Sequence, residues 1–201
     1  TFLEIEEIHK IQHLKLRARN PLYDAREVFL FECYTGIRIS DILTLKWKHI
    51  TDEKISIRMR KTEKLLSIPI NDYVRAVLDR RRCAVENNGG KITSEKYVFN
   101  ILKVDVDEVS AQDALNAISS ATAVINKQLK KIAKKTGIDK NLSTHCARHS
   151  YATALLTNNI PLPVIKEMLG HSDIKVTQIY AKVVDSKRNE VVECLNKVYH
   201  G

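Results

Sequence analysis

The hydrophobic period shifts to two over one stretch of this chain, and that shift limits the fold more than any other feature. Ile55, Ile57 and Met59 alternate with Ser56, Arg58 and Arg60, and after Lys61-Thr62-Glu63-Lys64 the alternation resumes with Leu66, Ile68 and Ile70. A period of two marks a half-buried strand. Two such runs joined by a short polar stretch read as an antiparallel β-hairpin with one apolar face and a basic outer face. A further strand over Trp47 to Ile50 would complete a three-stranded sheet. Most of the remaining apolar positions recur at helical spacing. The expected class is α+β, mostly α-helical with a small three-stranded antiparallel β-sheet.

Leu3 to Leu16 carries Ile5, Ile8 and Ile11 on one stripe, which predicts an amphipathic helix. Residues 22 to 34 read as a more buried helix, with Gly36 as a left-handed C-cap. Ser40 is placed to cap a short helix over Asp41 to Leu45. Asn71 and Asp72 open a helix through Arg82 that ends near Asn87-Asn88-Gly89-Gly90. A long helix is expected from about Ala111 to Thr136, stopped by Gly137, and Ser143 or Thr144 caps the next. Pro161 and Pro163 open another, ended by Gly170. A short helix then leads to Tyr180, and a last amphipathic one carries Val191, Val192, Leu195 and Val198. The stretch from Lys103 to Asp113 is acidic and has no readable period, which leaves a loop insertion or a partner surface.

Only 6 Gly and 4 Pro in 201 residues, with 44% hydrophobic residues, fit one globular domain with its own core. No apolar run is long enough to predict a membrane span. Cys33, Cys83, Cys146 and Cys194 are widely spaced with no CxxC pair, so neither a disulfide framework nor a zinc site is expected, and a reducing cytoplasm is the expected setting. The net charge of +9 favours a polyanionic partner, because binding phosphates releases counterions. The opening Thr1-Phe2-Leu3-Glu4 has neither an initiator Met nor a signal-peptide pattern, as expected of a piece of a larger protein.

Three groups of residues could carry chemistry. Arg38, in Tyr34-Thr35-Gly36-Ile37-Arg38-Ile39-Ser40-Asp41, lies between two helices in an apolar setting. It is either a structural partner of Asp41 or a guanidinium held ready for a phosphate, whose geometry a planar fork matches. In Thr144-His145-Cys146-Ala147-Arg148-His149, positions 145 and 148 share a helical face. His145 and His149 have the spacing of metal ligands. However, Cys146 points about 100° away on a helix and Arg148 would repel a cation, so no metal is expected and His149 is read as structural. The third group is Leu169-Gly170-His171-Ser172-Asp173, with Tyr180 nine positions after His171. Alone, Tyr180 is an ordinary packed aromatic.

Taken together, Arg38, His145-x-x-Arg148, Leu169-Gly170-His171 and Tyr180 resemble the tyrosine recombinase (phage integrase) family in order and spacing across nearly the whole chain. That family's signature is Arg…Lys…His-x-x-Arg…His/Trp…Tyr. Thr35-Gly36-Ile37-Arg38-Ile39-Ser40-Asp41 is similar to its first arginine box, and Thr177-Gln178-Ile179-Tyr180 to its closing one. Lys61 matches the hairpin lysine, although Lys64 lies near the same turn and remains an alternative. Cys146-Ala147 departs from the more usual residue followed by Leu, and the acidic stretch 105–113 has no family counterpart.

The resemblance implies the catalytic domain of a site-specific DNA recombinase over residues 1–201, with an N-terminal core-binding domain absent. Tyr180 would attack a phosphodiester to give a 3′-phosphotyrosyl link and a free 5′-hydroxyl. Arg38 and Arg148 would clamp the non-bridging oxygens, Lys61 would protonate the leaving oxygen, and His171 would hydrogen-bond the phosphate. His145 would position the phosphate or accept the Tyr180 proton, and Asp41 would orient Arg38. No metal or other cofactor is implied. The implied partners are double-stranded DNA and further protomers in a synaptic tetramer, within a bacterial cytoplasm. Lys46, Lys48, Arg58, Arg60 and Lys64 are expected along the DNA face, contacting phosphates. The readings to separate from this one are a type IB topoisomerase, an inactive DNA-binding module and a plain helical interaction domain.

Overall fold

The computed structural model describes residues 1–18 and 20–170. Those residues divide between two compact units, Thr1–Tyr151 and the chain from Ala152 onward. The first unit is built around one helix. Helix α2 (Pro21–Thr35) is capped by Asn20, whose side chain accepts from the Leu22 amide at 2.9 Å. Twelve of its residues are buried, Arg26, Glu27 and Glu32 among them, so it has no solvent face to speak of. Around it lie α1 (Ile5–Gln12), the short α3 (Ile39–Leu43), α4 (Asp72–Glu86) and α5 (Ala111–Thr136). Phe29, Leu30 and Phe31 are fully buried, and Phe31 meets Phe99 edge-on with ring centroids 5.2 Å apart.

The outer helices follow their stripes. On α4 the buried positions are Val74, Val77, Leu78 and Arg81, at spacings of three, four and seven. Its N-cap Asn71 accepts from the Val74 amide at 2.9 Å. On α5, Ser110 caps the start, and Gly137, at φ 66°, ends it in the left-handed region. Helix α1 is shorter than its hydrophobic stripe and stops at Gln12. Beyond it the Leu14 carbonyl is taken by the buried guanidinium of Arg26, so the chain there answers a tertiary donor rather than the next helical amide.

Strands β1 (Lys54–Arg58) and β2 (Leu65–Pro69) pair antiparallel, with Ile55 opposite Ile68 and Ile57 opposite Leu66. Those four side chains are buried, as the alternation predicts. The third strand expected at Trp47–Ile50 is instead a single 3-10 turn, Trp47–His49. The Lys46 amide donates to His49 Nδ1 at 3.1 Å and the Ile50 amide to the Trp47 carbonyl at 3.1 Å. These local bonds curl the segment, leaving single bridges from Ile50 to Ile55 and from Lys46 to Tyr97. Ser40 is likewise not a cap: α3 begins at Ile39 with Arg38 as its extended N-cap residue.

Helix α6 (Thr144–Thr157) runs from the first unit into the second. Ser143, one of the two expected caps, accepts from the Cys146 amide at 3.3 Å. In the second unit, α7 (Leu162–Met168) follows Pro161, and Gly170, at φ 60°, comes after its end. The short helix expected before Tyr180 and the amphipathic one at Val191 to Val198 lie outside the described residues. Among the described residues no helix is long and apolar enough to cross a membrane. Cys33, Cys83 and Cys146 are free thiols, and Cys194 lies outside the described residues.

Candidate active site

The site is assembled at the C-terminal end of α2. Thr35 Oγ1 donates to the Phe31 carbonyl at 2.7 Å and accepts from the Ile37 amide at 3.3 Å. Gly36, at φ 66°, supplies the left-handed residue that lets the chain turn out of the helix. Its amide still donates to the Glu32 carbonyl at 2.8 Å. Ile37 is then fully buried, and Arg38 emerges in extended backbone before α3.

Arg148 comes to the same turn from the first part of α6. Its side chain is buried, and its Nη1 donates to the Gly36 carbonyl. Asp41, also buried, is under the electrostatic influence of Arg38, Arg148 and Arg60 together. Burial pushes its carboxyl above the usual carboxylate range, while the bond from the Arg60 amide and those three positive charges pull it back. The two arginines singled out in the sequence are therefore brought to one place.

The hairpin reaches that place as well. Asp41 Oδ1 accepts from the Arg60 amide at 2.9 Å, and Arg38 Nη1 lies 3.3 Å from Met59 Sδ. Lys61 follows Arg60 directly and is exposed on the turn between the strands. Glu63, at φ 58°, closes that turn, with its amide donating to the Met59 carbonyl at 2.8 Å. Lys64 sits on the far side, its carbonyl accepting from the Met59 amide at 3.0 Å. Asp41 thus holds the backbone one residue before Lys61, a connection that the sequence-based pairing of Asp41 with Arg38 did not include.

His145 is exposed in the first turn of α6, three residues from Arg148. His149 is half-buried, and burial, with His145 and Arg148 adding to it, lowers its pKa from the usual histidine value. His171 and Tyr180 lie outside the described residues.

The five basic residues expected on a DNA face are placed differently from one another. Arg58, Arg60 and Lys64 are exposed on the hairpin, with Arg58 Nη1 donating to the Glu63 carbonyl at 2.9 Å. Lys46 is buried instead, and its Nζ meets Asp107 at 2.7 Å and Asp105 at 3.3 Å. Lys48 pairs with Glu95 at 2.7 Å. Tyr97 donates to Asp105 at 2.7 Å, and burial followed by that bond raises its phenol to about 12. The acidic stretch that had no readable period is thus tied down by Lys46 and Tyr97, with Val106 buried beneath it.

The sequence profile of the phage integrase family matches residues 1–187. Tyrosine recombinase XerD of Staphylococcus haemolyticus is 29% identical over 185 residues, which cover 90% of this chain and 57% of that protein. Among solved structures, the catalytic domain of bacteriophage HP1 integrase superposes with a TM-score of 0.59 at 24% identity, covering 96% of this chain and 94% of that one. XerH site-specific recombinase, in its post-cleavage complex with palindromic difH substrate, superposes with a TM-score of 0.66 at 22% identity, covering 98% of this chain and 52% of that one. The chain thus spans little more than half the length of XerD and XerH. At these identities the two structures speak for a shared fold, mostly helical with a small antiparallel sheet. With nearly all of its length matched by the family profile, the chain belongs to the phage integrase family, the tyrosine recombinases.

Proposed function

We propose that this chain is the catalytic part of a site-specific recombinase that cleaves and rejoins double-stranded DNA through a 3′-phosphotyrosyl intermediate. The observation that carries the reading is the meeting of Arg38 and Arg148 at the Gly36 turn, with Asp41 binding the hairpin beside them. Cleaving a phosphodiester without a metal needs a nucleophile, a proton donor for the leaving oxygen, and positive charge around the transition state. Two guanidiniums can supply that charge to the non-bridging oxygens in the bidentate geometry that suits phosphate.

Tyr180 is the nucleophile in this reading, and His171 and His145 add hydrogen bonds to the phosphate or take the tyrosine proton. Lys61 is the general acid for the 5′-oxygen, supported by its place on the turn one residue beyond the amide that Asp41 holds. The new phosphotyrosyl bond conserves the energy of the broken one, so attack by a 5′-hydroxyl from another strand reverses the step without a nucleotide cofactor. Exchange between two duplexes calls for several protomers, in keeping with a synaptic tetramer acting on bacterial DNA in the cytoplasm. The amphipathic segment expected around Val191 to Val198 would couple neighbouring protomers.

The test is strand exchange between two plasmids that each carry the sequence recovered from DNA covalently trapped on the protein. Recombinant junctions that require both sites support the reading. Relaxation of supercoils without junctions would assign the chain to topoisomerase-like chemistry instead, and salt-sensitive binding with neither activity would leave a DNA-binding module.

A further inference from the structure

Two carboxyls are buried in α2, and they are satisfied very differently. Glu27 is fully enclosed, and both its oxygens are paired: Oε1 with Arg26 at 2.7 Å and Oε2 with Arg80 at 2.9 Å. Glu32 is 2% exposed, yet its Oε2 has no hydrogen-bond partner among the described residues. Its charged neighbour is Arg148: burial pushes the Glu32 carboxyl well above the usual carboxylate range, and Arg148 pulls it down.

Folding alone does not account for a carboxyl at this position. A buried polar atom left unpaired costs about 1–3 kcal/mol, and an apolar side chain of similar size would avoid that cost. Val28 and Phe29, which share its helical face one turn earlier, are apolar and fully buried. Glu32 also sits one helical turn before Gly36, whose amide it binds through its carbonyl and whose own carbonyl receives Arg148.

We infer that Glu32 is a positioning residue for Arg148, its carboxyl and the Gly36 carbonyl together holding the guanidinium from the α2 side ahead of the scissile phosphate. The inference rests on the reading of Arg148 as a phosphate clamp. An arginine side chain carries about 2 kcal/mol of rotamer entropy. Holding the fork from that side removes that freedom before substrate arrives, and donors fixed in advance need no reorganisation at the transition state. A neutral amide in place of the carboxyl keeps a polar oxygen on that side of the guanidinium, whereas a thioether of similar length does not.

The test is single-turnover cleavage of a nicked duplex carrying the sequence recovered from the wild-type adduct, using Glu32→Met and Glu32→Gln with thermal unfolding measured alongside. Glu32→Met is expected to lower the maximal cleavage rate about 10- to 100-fold, the scale of a small misplacement at a reacting centre. The DNA concentration for half-saturation and the melting temperature should not fall in step with that loss. Glu32→Gln should retain most of the rate. Wild-type rates in Glu32→Met, or losses that track the fraction unfolded in both variants, would overturn the role. Should Glu32→Met fail to fold, Glu32→Asp decides: slow cleavage beside a near-normal Glu32→Gln supports it, and equal rates refute it. If the wild type forms an adduct and Arg148→Lys forms it equally fast, the clamp reading itself falls.

Discussion

The guanidinium of Arg148 donates to the main-chain carbonyl of Gly36, and Arg38 stands only two residues beyond that carbonyl. One glycine therefore sets both arginines: its left-handed φ turns Arg38 out of α2, and its carbonyl anchors Arg148. Gly36→Ala should cost about 1–2 kcal/mol of stability, because an L side chain is strained in that region. Cleavage should fall further than the lost folding explains, since both clamps shift together. Equilibrium unfolding and single-turnover cleavage on the same preparation check this, and a variant destabilised but fully active would oppose it.

Asp41 links the hairpin to the arginines through its bond to the Arg60 amide. Asp41→Ala leaves that amide without its acceptor, a loss of about 1–3 kcal/mol. Its larger effect should be on Lys61, whose backbone is no longer fixed. A duplex with a 5′-thiol leaving group, which needs little help from an acid, should recover most of the cleavage rate in Asp41→Ala and Lys61→Ala alike. Rescue of Lys61→Ala alone would separate Asp41 from the acid step, and rescue of Lys64→Ala in its place would move that role to Lys64.

Charge on the hairpin and charge at Lys46 should behave differently toward salt. Replacing exposed Arg60 or Lys64 by Ala should reduce the slope of log affinity against log salt by about 1 for each phosphate that is no longer neutralised. Lys46→Met should leave that slope unchanged, because its ammonium is enclosed by Asp105 and Asp107. It should instead lower stability, since the two carboxylates lose their buried partner. Salt titrations of DNA binding with thermal unfolding distinguish the two behaviours.

Acidification should destabilise the first unit through His49. Burial, then the charges of Lys48 and Lys46, depress its pKa, and its Nδ1 accepts from the Lys46 amide, which needs an unprotonated nitrogen. A depressed histidine means that the unfolded chain takes up the proton first. Stability is therefore lost as pH falls through the unfolded value of about 6.5 and on toward the lower folded one. Denaturant unfolding at pH 7.5 and 5.5 should show a smaller loss for His49→Gln than for the wild type, whereas equal losses would count against this assignment.

Much of the scaffold was legible because its signals are local. The apolar run at residues 22 to 34 with Gly36 after it, the alternation from Ile55 to Ile70 and the stop at Gly137 each describe their own element. The turn at Trp47–His49 was not legible and was read as a strand, since it is curled by contacts from Lys46 and His49 that no period records. The ion pairs of Lys46 were not legible either, because its partners, Asp105 and Asp107, are 59 and 61 positions away. Arg38 and Arg148 were legible as residue types at family spacing, but the bond from Arg148 to the carbonyl two residues before Arg38 is a tertiary fact. Glu32 left a weaker trace: an acid inside Phe29-Leu30-Phe31-Glu32-Cys33 interrupts an otherwise apolar run and needs a buried partner.

The central claim is covalent attack by Tyr180 on a phosphate held by Arg38 and Arg148, and trapping the intermediate tests it most directly. A nicked duplex, whose short 3′ fragment diffuses away after cleavage, should leave protein–DNA adduct on a denaturing gel with the wild type. Tyr180→Phe should give none, and Arg38→Ala or Arg148→Ala should slow its formation by about 100-fold or more each, the scale for losing one transition-state donor. Adduct persisting in Tyr180→Phe, or forming at the wild-type rate without either arginine, would contradict the account.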